Sequence, residues 1–457
     1  MGGRTWTAVV LAATVLTGAA QGESNVERRL RELEETVRRQ AAEIQTLREE
    51  LHDRPPEAAA QPAVPAGPTS PKVAEAEQAI AKQKEEAVAK GALPGWVNYQ
   101  IGKGFTFQTA DDRFKLSLYN RLQARYSYID GEDLPGLDDT SGFEVRRMKT
   151  VFEGHAFDPS LLFKVQVNWV ADTILEDAYL HWIPRKYAGV QVGQYKVPFN
   201  RQQLTSSGAL QFVERSIADN FFTPARDRGV TLTGSWFGEK QDLLEWNAGI
   251  FNGNGINGMP NENSDHMAAG RLLWMPLGAF KYYVESDVDD TPEPRLGIGA
   301  AYLYNSQADT GAGNTARILS SSRLGGDWDP PIDGRVDVVQ ATFDTQLKWR
   351  GLSVLGDYYW AEGDPNDRST HSAQGYNTQI GYFILPKKLE AAFRWSWVNR
   401  DLQTSRASMR EIGGALGYFF LAHNLKLQGD IRSLREEFPG APREDSLEYR
   451  LQLQAIF

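Results

Sequence analysis

The sequence predicts an all-β protein: a transmembrane antiparallel β-barrel of 16 strands, preceded by an N-terminal α-helical coiled coil and a Pro/Ala linker. Three observations carry the prediction. From residue 113 onward, apolar and polar residues alternate with period two in one segment after another, which marks strands facing two different environments. The connections between segments are short and long in turn, so the long ones fall on one side of the sheet. The chain stops on the ladder "SLEYRLQLQAIF", where apolar Leu447, Tyr449, Leu451, Leu453, Ala455 and Phe457 alternate with polar Glu448, Arg450, Gln452 and Gln454.

Composition narrows the function classes. No stretch after residue 20 approaches the ~20 apolar residues of a membrane helix, and mean hydropathy is −0.45. The 457 residues contain no Cys, which excludes thiol catalysis, a disulfide scaffold and a cysteine-ligated zinc site. Net charge is −10, so the chain has no overall polyanion-binding character and nucleic acid is not an expected partner. No G-x-S-x-G, Walker loop, dinucleotide fingerprint or HExxH spacing is present, and neither an enzyme activity nor a cofactor is expected.

In chain order, residues 1–20 combine Arg4, an apolar run and a small-residue end, the pattern of a secretory signal peptide cut after Ala20. Residues 21–53 carry a heptad, with Val26, Leu33, Gln40 and Leu47 at one core position and Leu30, Val37, Ile44 and Leu51 at the other. The β-branched residues at the second position favour a trimeric coil over a dimer. Residues 54–94 hold a Pro/Ala linker and a short helix ending at Gly91, and residues 95–457 form the barrel domain.

Sixteen alternating segments follow, at 113–130, 143–157, 161–171, 173–184, 188–197, 228–238, 241–252, 266–275, 295–305, 335–350, 351–361, 373–385, 387–401, 409–421, 423–434 and 444–457. The run 104–110 would make seventeen and is left outside the ring, and residues 276–294 are a long connection on the short-turn side. In the first segment Leu116, Leu118 and Leu122 share one face, while Lys115, Arg121, Gln123 and Arg125 share the other. A soluble sheet would bury the apolar face against a second apolar set, and no such set is evident. Trp169, Trp182, Trp246, Trp274, Trp349, Trp360 and Trp397 end the apolar faces, which suits aromatic girdles at lipid interfaces. The apolar faces are therefore expected to meet outer-membrane lipid, with the polar faces lining a lumen. The acidic stretches 287–294 and 327–334 lack calcium-loop spacing and read as surface loops.

The stretch "VGQYKVPFNRQQLTSSGALQFVERS" resembles the phosphate-selective porins O and P, as do "GFEVRRMK", "RDRGVTLTG", "GIFNGNG" and the closing "LQAIF". The resemblance spans residues ~95 to 457. It implies a trimeric porin of the outer membrane whose third loop folds into the lumen, with the coil in the periplasm. The implied activity is passive diffusion of small anions, with inorganic phosphate or polyphosphate as the expected permeant. Carried over by residue, Lys196 precedes the third loop, Arg215 lies within it, and Arg226 and Arg228 stand at its return to the wall. Lumen parity in "FEVRRMK" selects Arg147 and Lys149, which join Lys115, Arg121 and Arg125 as pore-lining cations. Inward Glu153, Asp177, Asp344, Asp357 and Glu390 are available to neutralise them by wall salt bridges. The alternative function is a structural barrel whose coil tethers the membrane to a periplasmic partner or the cell wall.

Overall fold

A computed structural model describes residues 95–131, 139–172, 174–236, 243–257, 264–308, 335–365, 370–401, 406–437 and 443–457. The expected signal peptide, coil and linker, and the acidic stretch 327–334, lie outside these residues. Sixteen strands make the ring: β3 (Phe114–Asp130), β4 (Thr140–Ala156), β5 (Asp158–Asn168), β6 (Leu175–Arg185), β7 (Ala188–Lys196), β8 (Arg226–Trp236), β9 (Leu244–Phe251), β10 (Met267–Trp274), β11 (Arg295–Ala308), β12 (Arg335–Trp349), β13 (Leu352–Pro365), β14 (His371–Leu385), β15 (Leu389–Asp401), β16 (Arg406–Leu421), β17 (Leu425–Glu437) and β18 (Glu444–Ile456). Each pairs antiparallel with its neighbours, and β18 pairs back to β3 from Leu447↔Asp130 to Ile456↔Arg121.

The run excluded from the ring by parity is a strand with a different task. β1 (Gly95–Gln100) and β2 (Gly104–Thr109) form a hairpin, and β2 pairs with β3 from Phe105↔Leu118 to Gln108↔Lys115. The handover falls at Asn120, whose amide donates to the Phe457 carbonyl at 2.7 Å and whose carbonyl accepts from the Phe457 amide at 3.0 Å. β18 thus covers the upper part of β3 and β2 covers its lower end, leaving no long open edge.

Period-two alternation places side chains as the sequence reading requires. Leu180, Trp182, Leu272 and Trp274 are each more than half exposed on the outer face, whereas Gln123, Gln346, Gln379 and Gln454 are fully buried inside. One expectation is corrected here. The interior does hold a second apolar set: Val338, Tyr359, Ala361, Ala373, Val398 and Met409 face inward and pack against Ile217, Ala218, Phe221 and Phe222. This patch is too small for a soluble core, and it serves as the berth of a loop.

That loop, residues 197–225, joins β7 to β8 and contains two short helices, α1 (Arg201–Leu204) and α2 (Ile217–Phe222). Irregular backbone within a barrel must find hydrogen-bond partners, and carboxylates of the wall and of the β10–β11 connection supply them. Gln211 N donates to Glu285, Val213 N to Asp430 and Ile217 N to Glu411, at 2.9–3.0 Å. Buried Arg201 bonds Asp357 at 2.8 and 2.9 Å, and removing one partner of such a pair costs about 3–5 kcal/mol. Ser216 caps α2, accepting from Asp219 N at 3.1 Å.

The long connection between β10 and β11 also turns inward over residues 282–287, while the acidic stretch that follows Asp287 runs at the surface, with Asp289 and Glu293 exposed, as its sequence suggests. Tyr282, Glu285 and Asp287 are buried. Asp287 accepts from Thr291 N and Gly351 N, while Glu285 N donates to Ala209 O at 3.0 Å. The third loop and this connection meet inside the barrel and fill the lumen beside β11–β17.

Wall glycines provide the clearance. A Cβ on Gly375 would lie 2.5 Å from the Phe222 ring, which is stacked on Tyr359 with a centroid distance of 5.1 Å and an interplanar angle of 7°. Gly375→Ala should therefore lower the thermal midpoint of the folded barrel, read by heat-modifiable gel mobility, by an overpacking cost of about 1–3 kcal/mol. Gly142→Ala, at a position with open space around it, should leave the midpoint unchanged.

Candidate functional site

Because the loop and the connection dock on one side, free volume remains on the other. A cavity of about 640 Å³ lies between the third loop and the wall of β3–β9. Eight basic residues line it: Arg121 from β3, Arg146, Arg147 and Lys149 from β4, Lys164 from β5, Lys196 from β7, Arg226 from β8 and Arg215 from the loop. Three acidic residues oppose them, Glu176 and Asp177 from β6 and Glu245 from β9.

Several cations are already spent on carboxylates. Glu214 of the loop takes Arg125 at 2.5 Å, Arg146 at 3.0 Å and Arg147 at 2.9 Å. Lys149 meets Glu176 at 2.5 Å, Arg226 meets Asp177 at 2.6 Å, and Lys164 meets Glu153 at 3.2 Å. Three others gather instead around Leu204–Ser207. Arg121 Nη1 donates to Ser206 Oγ at 2.6 Å. Lys196 Nζ donates to the carbonyls of Leu204 and Thr205 at 3.1 and 3.2 Å, and Arg215 Nη2 donates to the same Thr205 carbonyl at 2.9 Å. The nearest carboxylate to Arg215 is Asp219, at 3.7 Å. Arg121 Nε and Ser207 Oγ are buried with no hydrogen-bond partner among the described residues.

Of the nine cations read from the sequence, the structure brings Arg121, Arg147, Lys149, Lys196, Arg215 and Arg226 to this cavity and leaves three off its lining. Lys115 sits near the short-turn end of β3, opposite His155. Arg125 is buried under Glu214, Glu144 and Gln452. Arg228 lies opposite Gln194 on β7. Arg146 was missed for a definite reason. The β3–β4 register shifts so that Gln123 pairs with Arg147 but Ala124 with Val145. Arg146 is the extra residue of a β-bulge, so both arginines reach Glu214, which strict alternation forbids. Tyr179, Tyr195 and Tyr283 also line the cavity, and no sequence signal marked them.

Electrostatics within the loop separate two carboxylates. Burial by itself pushes the Glu214 carboxyl up, but Arg147, Arg125 and Arg146 outweigh it and hold it well below the usual carboxylate range. Burial pushes Asp219 up to about 7 from 3.8, with Arg215 pulling the other way and Asp357 adding to the rise. Its Oδ1 accepts from Asn200 Nδ2 at 2.7 Å and Gln203 N at 3.1 Å, while Oδ2 has no hydrogen-bond donor among the described residues. A raised folded-state pKa means that the docked loop favours the protonated acid. This stabilisation is complete below the unfolded value and is lost as pH rises through about 7. Open-channel current noise from loop motion should thus be lower at about pH 5 than at about pH 8, and Asp219→Asn should remove the difference.

The family model described as phosphate-selective porin O and P matches residues 116–431. No curated protein sequence matches the chain significantly. Among solved structures, the fold is similar to a loop L8 deletion mutant of OmpT from Vibrio cholerae, with 11% identity, TM-score 0.51, and coverage of 75% of this chain and 99% of that one. The outer membrane channel DcaP of Acinetobacter baumannii gives 13% identity, TM-score 0.51, and coverage of 75% and 97%. An anion-selective porin from Comamonas acidovorans gives 10% identity, TM-score 0.50, and coverage of 75% and 99%.

Proposed function

The chain belongs to the phosphate-selective porin O and P family and is an outer-membrane channel, and on that premise we propose that it passes small anions, inorganic phosphate among them, along the cavity beside β3–β9. The observation that carries this reading is the group Arg121, Lys196 and Arg215, which converge on Leu204–Ser207 with no carboxylate within hydrogen-bond distance. Fixed cations in a narrow, low-dielectric passage replace the hydration that an anion loses on entry. Arg121 offers a planar fork and Lys196 a point charge. The hydroxyls of Ser206 and Ser207, on the cavity lining, add donors. Anions moving through exchange with the hydroxyl and carbonyl partners that these cations hold at rest. The assembly we propose is a homotrimer with its coil in the periplasm, a reading supported by the heptads of residues 21–53.

In planar bilayers under a salt gradient, the reversal potential should report anion preference, and a preference for cations would sink the proposal. Arg121→Gln should shift the potential toward cations and weaken phosphate block of chloride current roughly tenfold, the cost of one charged hydrogen-bond donor. Arg121→Lys should keep the sign of the potential while losing part of the block.

A further inference from the structure

The same cavity carries groups that an inorganic anion does not use. Its volume of about 640 Å³ falls in the ~300–1,000 Å³ range of sites for organic molecules and far exceeds one tetrahedral oxyanion. Beside the cations the lining carries neutral groups, Tyr179, Tyr195 and Tyr283 together with Gln191, Thr231 and Asn247. These rings are held in place. Tyr179 and Tyr195 meet edge to face, with centroids 5.7 Å apart and planes at 76°. The Tyr195 hydroxyl and Thr231 Oγ1 are hydrogen-bonded at 2.7 Å. Tyr283 comes from the inward connection, where its hydroxyl accepts from Arg271 Nε at 3.3 Å, and adjacent Tyr282 donates to Asp344 at 2.5 Å. Tyr195 is buried and braces the partly exposed Tyr179, and the rings of Tyr179 and Tyr283, with amide and hydroxyl groups at their margin, fit the apolar ring face and peripheral hydroxyls of a sugar. The cationic cluster of the same lining fits that sugar's charged head.

We propose that the preferred permeant is a sugar phosphate or similar anionic sugar, its head on Arg121 and Lys196 and its body along the tyrosines. This rests on the anion reading above, which a separate measurement tests. The full-length chain in planar bilayers would be titrated with glucose 6-phosphate and, separately, with inorganic phosphate, following block of chloride current. Glucose 6-phosphate should half-block at a concentration at least roughly tenfold lower than inorganic phosphate, the gain expected from aromatic contacts. Tyr179→Ala should erase most of that advantage and move the phosphate value less than about twofold. Equal or stronger block by inorganic phosphate, with the reversal potential still showing anion preference, would overturn the sugar assignment and leave the anion channel standing. Cation preference in the same recordings would overturn both. An equal loss of both blocks in Tyr179→Ala would remove the aromatic wall from the proposal. If that variant does not assemble, the comparison on the wild-type chain still decides.

Discussion

A loop folded into a membrane barrel survives only if its backbone polar groups and buried charges find partners, and in this protein one side of the wall supplies them. Asp344, Asp357, Glu411 and Asp430 each hold an arginine, Arg271, Arg201, Arg394 and Arg450 in turn. Glu411 and Asp430 also accept loop amides. Phe212 lies under the Arg394 guanidinium at 4.0 Å, and Phe222 enters the notch at Gly375. These interactions are cooperative in a low dielectric, and together they hold the third loop to β12–β17.

The electrostatic asymmetry of the lumen follows from that docking. Asp344, Asp357, Glu411 and Asp430 are neutralised by arginines within the packed half, so they do not compensate cations across the barrel. On the open side, one loop carboxylate, Glu214, holds three arginines, while Arg121 and Lys196 are left with hydroxyl and carbonyl partners. A chain with net charge −10 can therefore enclose a basic passage. Total charge is a property of composition, whereas channel potential depends on which carboxylates remain within a Debye length of the path and are not already paired.

Much of this was legible in advance. Away from bulges the strand residues alternate, so lumen parity correctly placed Arg121, Arg147, Lys149 and Arg450 inward, and the closing ladder does pair with the first strand of the ring. The failures occur where alternation stops carrying information. Arg146 escapes because a bulge breaks the period. Lys115 and Arg125 share a face with Arg121, yet a face says nothing about height in the barrel or about a carboxylate arriving from a loop. The inward course of residues 282–287 leaves no periodic trace, since its anchors, Tyr282, Glu285 and Asp287, act through partners distant in sequence.

By itself, the sequence determined the sheet: strand number, inward and outward faces and the lipid-facing apolar surface, while the inward third loop was implied only by the family resemblance. Those features depend on neighbours two residues apart and on segment lengths, which are local quantities. Only the tertiary structure decided which half of the lumen is filled, which cations pair with a carboxylate and which do not, and that tyrosines line the same cavity. Each of those outcomes turns on pairs such as Arg201–Asp357 and Arg125–Glu214, separated by 156 and 89 residues. Their energies exist only once the ring has closed and excluded most of the water between them.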